Sequence, residues 1–277
     1  MSFELKDACE CARLAQISYM DVEEATACIH EEFPKYTTIK FIDHDGCQMI
    51  CLSDVESNQT RLVFRGSEFD TQNDIMANLN IVRGTDTTLS QNTHNVDIHV
   101  HGGFLEEIES IWPSIYKYIE DVCKSKYHHI LLTGHSLGGA LALLCGTRLA
   151  ACFDLLWFDC YSFGAPMVGG TSFEACFESL YNVDHIRIVN NNDVVPRLKT
   201  LSALGYCHVG ELVYLSTNHE IIHHALTWEE RAYEWFWGHW KAITHFKWLD
   251  SFQDHKMIHY ATILNEHMDT KTCEPNP

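Results

Sequence analysis

The chain has 277 residues, with nineteen Lys and Arg against thirty-eight Asp and Glu, a net charge of −19 with histidine neutral. That charge repels nucleic-acid phosphates and no basic cluster offsets it, so nucleic acid is excluded as a partner. Hydrophobic residues at 46% and aromatics at 12% exclude a disordered or fibrous chain and can fill the core of one globular domain spanning 1–277.

Residues 5–19 place Leu5, Ala8, Ala12, Ala15 and Tyr19 at helical spacing, which predicts an amphipathic helix packed on a sheet. Charges are scattered through residues 1–20, where an export signal would show a basic start and an apolar run of about 7–15 residues. A cytoplasmic location is therefore expected, with the twelve cysteines kept as thiols. The close pairs Cys9–Cys11 and Cys47–Cys51 do not make a zinc set. Apolar, β-rich runs follow at 39–42, 48–52, 62–64, 129–132, 155–163, 186–189 and 209–215, each closed by Gly, Asn, Asp or Pro.

Between these runs lie two helical patterns. Phe104, Ile108, Ile111, Ile115, Tyr118, Ile119 and Val122 recur every three to four residues, with a kink or break expected at Pro113. Residues 137–151 are a compact run of good helix formers. Strands alternating with helices predict an α/β fold, a mostly parallel central sheet with helices on both faces. The most apolar stretch, 140–163, is interrupted by Arg148, Asp154 and Asp159, so no transmembrane segment is expected. Two stretches depart from this scheme. Residues 83–97 are polar and long enough for a functional loop, and read as a flap. Residues 228–249 hold five of the seven tryptophans in a helix-like insertion with almost no polar face, which must be buried or meet something apolar.

Residues 129–133 lead as a strand into Gly134-His135-Ser136-Leu137-Gly138 and then into the helical run. G-x-S-x-G alone is a weak signal; a strand directly before and a helix directly after is the setting a nucleophilic serine requires. The serine must sit on a tight turn where flanking side chains would collide with strand and helix, and the two glycines remove them. The following helix points its first N–H groups at the reacting carbonyl, making Leu137 N–H an oxyanion donor. A serine also needs a histidine to take its proton and a carboxylate to orient that histidine. In this strand–turn–helix setting the chain order is Ser, Asp, His. Asp193 follows the 186–189 run and precedes Val194-Val195-Pro196, at the sheet's C-terminal edge where α/β sites collect. An Asx turn or helix cap is the plain alternative for it. Ten histidines follow Ser136, too many for spacing to choose among. His219-Glu220-Ile221-Ile222-His223 matches the H-E-x-x-H of zinc peptidases. The competing reading is a histidine-rich surface helix.

As a set in chain order, several segments resemble the class 3 lipases, fungal-lipase-like α/β hydrolases. They are Leu14-Ala15-Gln16-Ile17-Ser18-Tyr19, Val63-Phe64-Arg65-Gly66-Ser67, Val100-His101-Gly102-Gly103-Phe104, the Gly134–Gly138 elbow, Phe163-Gly164-Ala165-Pro166, the Asn190-to-Pro196 stretch and His208-Val209-Gly210. Ile75 departs from the family, which often has tryptophan after the position of Asp74. The resemblance implies the α/β-hydrolase fold and hydrolysis of carboxylic lipid esters, of the triacylglycerol or diacylglycerol lipase or phospholipase A type. An acyl-enzyme would form on a Ser–Asp–His triad. It implies Ser136, Asp193 and, from Asp254-His255 with Tyr260 shortly after, His255 as base with His259 its neighbour. Ser67 joins Leu137 in the oxyanion hole, while His208 is read as a strand-end structural residue. A lid is implied over 68–97, carrying Phe69, Ile75, Met76 and Leu79. No metal or organic cofactor is expected. The partners expected are a lipid or other ester substrate and, through 228–249, transient contact with a neutral lipid interface. Two other classes stay open: a non-catalytic α/β-hydrolase scaffold in binding or signalling, and the zinc metallopeptidase.

Overall fold

The computed structural model describes residues 3–44, 46–54, 56–67, 82–93, 97–123, 128–191, 193–223 and 254–272. The strands are β1 (Thr38–His44), β2 (Cys47–Asp54), β3 (Gln59–Phe64), β4 (Arg83–Thr85), β5 (His99–His101), β6 (His129–His135), β7 (Trp157–Phe163), β8 (Gly169–Gly170), β9 (Val183–Asn190), β10 (Tyr206–Cys207), β11 (Glu211–Leu215) and β12 (Ile221–Ile222). The helices are α1 (Leu5–Ile17), α2 (Val22–Glu32), α3 (Thr87–Asn92), α4 (Gly102–Val122), α5 (Leu137–Cys152), α6 (Thr171–Ser179), α7 (Lys199–Ala203) and α8 (Met257–Thr272).

The main sheet runs β1-β2-β3-β6-β7-β9-β11-β12. Its centre, β3 through β11, is parallel, and antiparallel pairs close both ends. Central strands are covered on both faces, so they read as near-continuous apolar runs. On one face α1 and α8 bury Ala8, Ala12, Tyr260 and Leu264 against Leu131, Phe163, Ile188 and Val213. On the other, α4, α5 and α6 pack Ile108, Ile115, Leu144 and Phe173 with Leu62, Leu132 and Phe158. The stretch of α5 from Gly138 to Ala150 is buried throughout, which its all-round Ala/Leu/Gly composition allows.

The structure departs from the sequence reading in three places. Helix α4 continues through Pro113, so the break allowed for there does not occur. Ile108, Ile111, Ile115 and Ile119 are buried in the core, and at about 1.5–3 kcal/mol each they outweigh the cost of about 3 kcal/mol for a mid-helix proline. Residues 83–93 are not an open flap. β4 joins the small sheet β10-β8-β5-β4, and α3 buries Leu89. Between them, fully buried Asp86 caps α3 through Leu89 N and pairs with fully buried Arg148 on α5 at 2.6 Å. A polar sequence here signals a buried ion pair and a cap. Third, the H-E-x-x-H segment is not helical, since Ile221 and Ile222 pair with Leu215 and Tyr214 as an edge strand. The 68–81 part of the expected lid and the 228–249 insertion lie outside the described residues. The eleven described cysteines are all free thiols, and no described helix is long and apolar enough to cross a membrane.

Candidate active site

Ser136 sits between β6 and α5 with φ 55° and ψ −125° and is almost fully buried. The glycines around it explain why the chain can turn there. A Cβ on Gly134 would lie 2.3 Å from the carbonyl carbon of Gly138, and one on Gly138 would lie 2.3 Å from the carbonyl oxygen of Phe64. The backbone of α5 therefore comes down onto β6 and onto the end of β3. Main-chain Ser136 N–H donates to the Phe163 carbonyl at 2.9 Å, tying the turn to β7.

The three residues expected to cooperate meet here. His255 Nε2 is 2.9 Å from Ser136 Oγ, and His255 Nδ1 is 2.8 Å from Asp193 Oδ2. A carboxylate only accepts, so Nδ1 carries the proton and Nε2 is left to accept from the serine hydroxyl. Asp193 is completely buried, which an isolated carboxylate would not tolerate. Besides His255, it accepts from Val195 N–H at 2.9 Å and from the Tyr260 hydroxyl at 2.5 Å. Burial, reinforced by the Asp193 charge, pushes the Tyr260 phenol well above its ordinary pKa, so it remains a donor. Tyr260 in turn accepts from Asn190 N–H at 3.1 Å. The Asp254 carbonyl just before the base accepts from Asn190 Nδ2 at 2.9 Å.

Leu137 is the first residue of α5, where an amide has no acceptor within its own helix and is available to an external anion. Ser67 lies three residues past the end of β3, whose Phe64 is in register with Gly134. The Phe64–Arg65 backbone lies against Gly138, so the strand leading to Ser67 ends beside the elbow.

The other candidates fall elsewhere. His259 is exposed on α8 and lines a polar cavity of about 170 Å³ with Asn190, Asn191, Asp254 and His219. His208 is held by the Pro196 carbonyl at 2.7 Å, and burial with nearby Arg187 lowers its pKa to about 4. His219 pairs with Glu266 at 2.9 Å and His223 with Glu211 at 3.0 Å. The two histidines face different carboxylates across a strand, and no group of three or more metal-ligating side chains forms among the described residues. Sequence reasoning assigned no role to Tyr260, His135 or Asn190. Tyr260 stands five residues after His255, on the buried face of α8, and that helical phase was the available signal.

Comparison with known proteins places the fold in a family. The family model for lipase (class 3) matches residues 61–203. The lipase of Rhizomucor miehei is 30% identical over 199 residues, 69% of this chain and 52% of that protein. Secreted mono- and diacylglycerol lipase 1 of Fusarium solani is 33% identical over 117 residues, 42% of this chain and 34% of that protein. The chain thus spans about half the length of the first relative and about a third of the second. A solved triacylglycerol lipase whose catalytic centre is described as a serine protease triad superposes with a TM-score of 0.65 at 25% identity, covering 80% of this chain and 83% of that one. The Rhizomucor miehei triacylglyceride lipase structure gives 0.64 at 24%, with the same coverage. The fold is that of the α/β hydrolases, and the chain belongs to the lipase (class 3) family.

Proposed function

We propose that this protein hydrolyses carboxylic esters of lipids through an acyl-enzyme on Ser136. The observation that carries the proposal is the continuous hydrogen-bond chain from Ser136 Oγ through His255 to Asp193, with all three residues buried. Ser136 Oγ attacks the ester carbonyl carbon while its proton passes to His255 Nε2. Asp193 holds the resulting imidazolium in place and compensates its charge. The negative oxygen of the tetrahedral intermediate is met by the N–H groups of Leu137 and Ser67, with the Ser67 hydroxyl a further donor. Collapse expels the alcohol, which takes the proton from His255. Water then loses a proton to the same imidazole, attacks the acyl carbon and releases the fatty acid, regenerating Ser136.

The choice of lipid over peptide is supported by the relatives, named as lipases and as a mono- and diacylglycerol lipase. The triad itself serves both chemistries. Preference among triacylglycerol, diacylglycerol and phospholipid, and contact with a neutral lipid surface, belong to the same proposal. The test is hydrolysis of p-nitrophenyl butyrate and of these lipids by the purified chain and by Ser136→Ala. Loss of a triad serine costs on the order of 10⁶ in kcat. Residual turnover by the folded variant near the wild-type rate would refute the assignment, and an inactive wild type would favour the scaffold reading.

A further inference from the structure

The residue before the nucleophile joins parts of the site that the triad does not connect. His135 is 6% exposed. Its Nε2 lies 2.5 Å from the main-chain oxygen of His255, and its Nδ1 lies 2.8 Å from Tyr19 Oη. A carbonyl only accepts, so Nε2 carries the proton and Nδ1 accepts the Tyr19 O–H. Burial first, and the adjacent His255 ring second, hold the His135 pKa well below its ordinary value. The ring is therefore neutral at the pH where the triad works, and adds no charge beside an imidazolium whose ring centroid is 4.6 Å away. With Asn190 on the Asp254 carbonyl, two consecutive peptide oxygens of the base-bearing segment are gripped by side-chain donors.

The other end of the contact reaches the turn leading to Ser67. A Cβ on Gly66 would lie 2.1 Å from Tyr19 Oη and 2.5 Å from the main-chain oxygen of His135. Only a glycine lets that turn settle against the Tyr19–His135 pair. Residues far apart in the chain, 19, 66, 135 and 255, thus share one joint under the elbow.

We propose that Tyr19 and His135 are positioning residues, a strut that sets the main chain at His255 and the turn at Gly66 relative to Ser136. Neither donates to the reacting atoms. The strut acts through where it holds the base and the second oxyanion donor, so it rests on the reading of Ser136 given above. Misplacing reacting groups by about 1 Å can cost about 10²-fold in rate, and loss of the strut falls within that range.

The experiment measures kcat and KM for p-nitrophenyl butyrate, melting temperature and fluorophosphonate labelling of Ser136, on the full chain and on Tyr19→Phe and His135→Phe. Tyr19→Phe is expected to lose about tenfold in kcat and His135→Phe about a hundredfold, each with KM within about twofold. Unchanged kcat in both variants, or a fall that matches the loss of folded protein, overturns the proposal. If His135→Phe does not fold, Tyr19→Phe decides alone, since it removes one hydroxyl and keeps the ring. A wild type that neither turns over ester nor labels at Ser136 overturns the functional reading itself, which is a different result from active wild type with equally active variants.

Discussion

Gly164, in the Phe163-Gly164-Ala165-Pro166 turn after β7, gives the sharpest test of how the dyad is held. It has φ +58°, and a Cβ there would lie 2.5 Å from Asp193 Oδ2, 2.9 Å from Tyr260 Oη and 3.1 Å from His255 Nδ1. An unstrained carbon–oxygen approach is about 3.3 Å, so Gly164→Ala must open the site by about 0.8 Å. Asp193 Oδ2 cannot retreat freely, because it already accepts from both His255 and Tyr260. The displacement therefore falls on the two hydrogen bonds that orient the imidazole. A shift of that size costs about 10²-fold in kcat, rising toward about 10⁴-fold if the His–Asp orientation is lost. Left-handed backbone at alanine adds about 1–2 kcal/mol and local overpacking about 1–3 kcal/mol. At about 2–4 °C per kcal/mol for a chain of this size, melting should fall by about 4–20 °C. Initial rates on p-nitrophenyl butyrate, taken well below the variant's own transition and normalised to folded protein by circular dichroism, separate the two effects. A kcat within about threefold of wild type would show that the site tolerates a methyl group where the structure leaves no room, and the reasoning would fail.

Two further outcomes concern stability. Asp86→Ala leaves the buried Arg148 guanidinium with only the half-exposed Glu109 as partner and removes the α3 cap, so it should cost up to about 3–5 kcal/mol in urea unfolding; an open flap at 83–93 would leave the midpoint unchanged. His185 is held at a pKa of about 3 by burial, with Arg187 adding to the effect and the Val209 carbonyl opposing it. Unfolded, it titrates near about 6.5, so between the two values the unfolded chain binds a proton the native chain refuses. Its contribution is complete above about pH 6.5 and is lost as pH falls, at about 1.4 kcal/mol per pH unit. His101 and His208, lowered by burial to about 4, act in the same sense over a shorter window. Urea midpoints at about pH 7, 6 and 5 should decline steeply, and less steeply by one proton in His185→Gln. An equal slope in the variant would refute the assignment.

Local pattern announced much of this molecule. The strand before Ser136 and the Ala/Leu helix after it were legible because both elements lie in the core, where burial forces a continuous apolar sequence. Ser136 and Asp193 carried local signals, glycines at the elbow and Val194-Val195-Pro196 after the aspartate, whereas His255 stood out among ten later histidines only through the resemblance of Asp254-His255 to a family motif. Pattern failed where a charge is buried. Asp86 fell in a polar stretch read as a flap and Arg148 read only as a break in an apolar run, until the fold brings α3 against α5. It failed again at His219 and His223, where a helical spacing in sequence became an edge strand under the pull of β11. The contacts of Tyr260 and His135 escaped for another reason. Their partners are Asp193 in one case and Tyr19 with the His255 carbonyl in the other, and no window of the sequence contains those pairs.

The backbone of Ser136, at φ 55° and ψ −125°, lies where a side chain is a burden and costs on the order of 1–3 kcal/mol. A glycine there would relieve that cost and remove the hydroxyl. A serine persists in that conformation because the buried strand β6 and helix α5 on either side over-determine the turn.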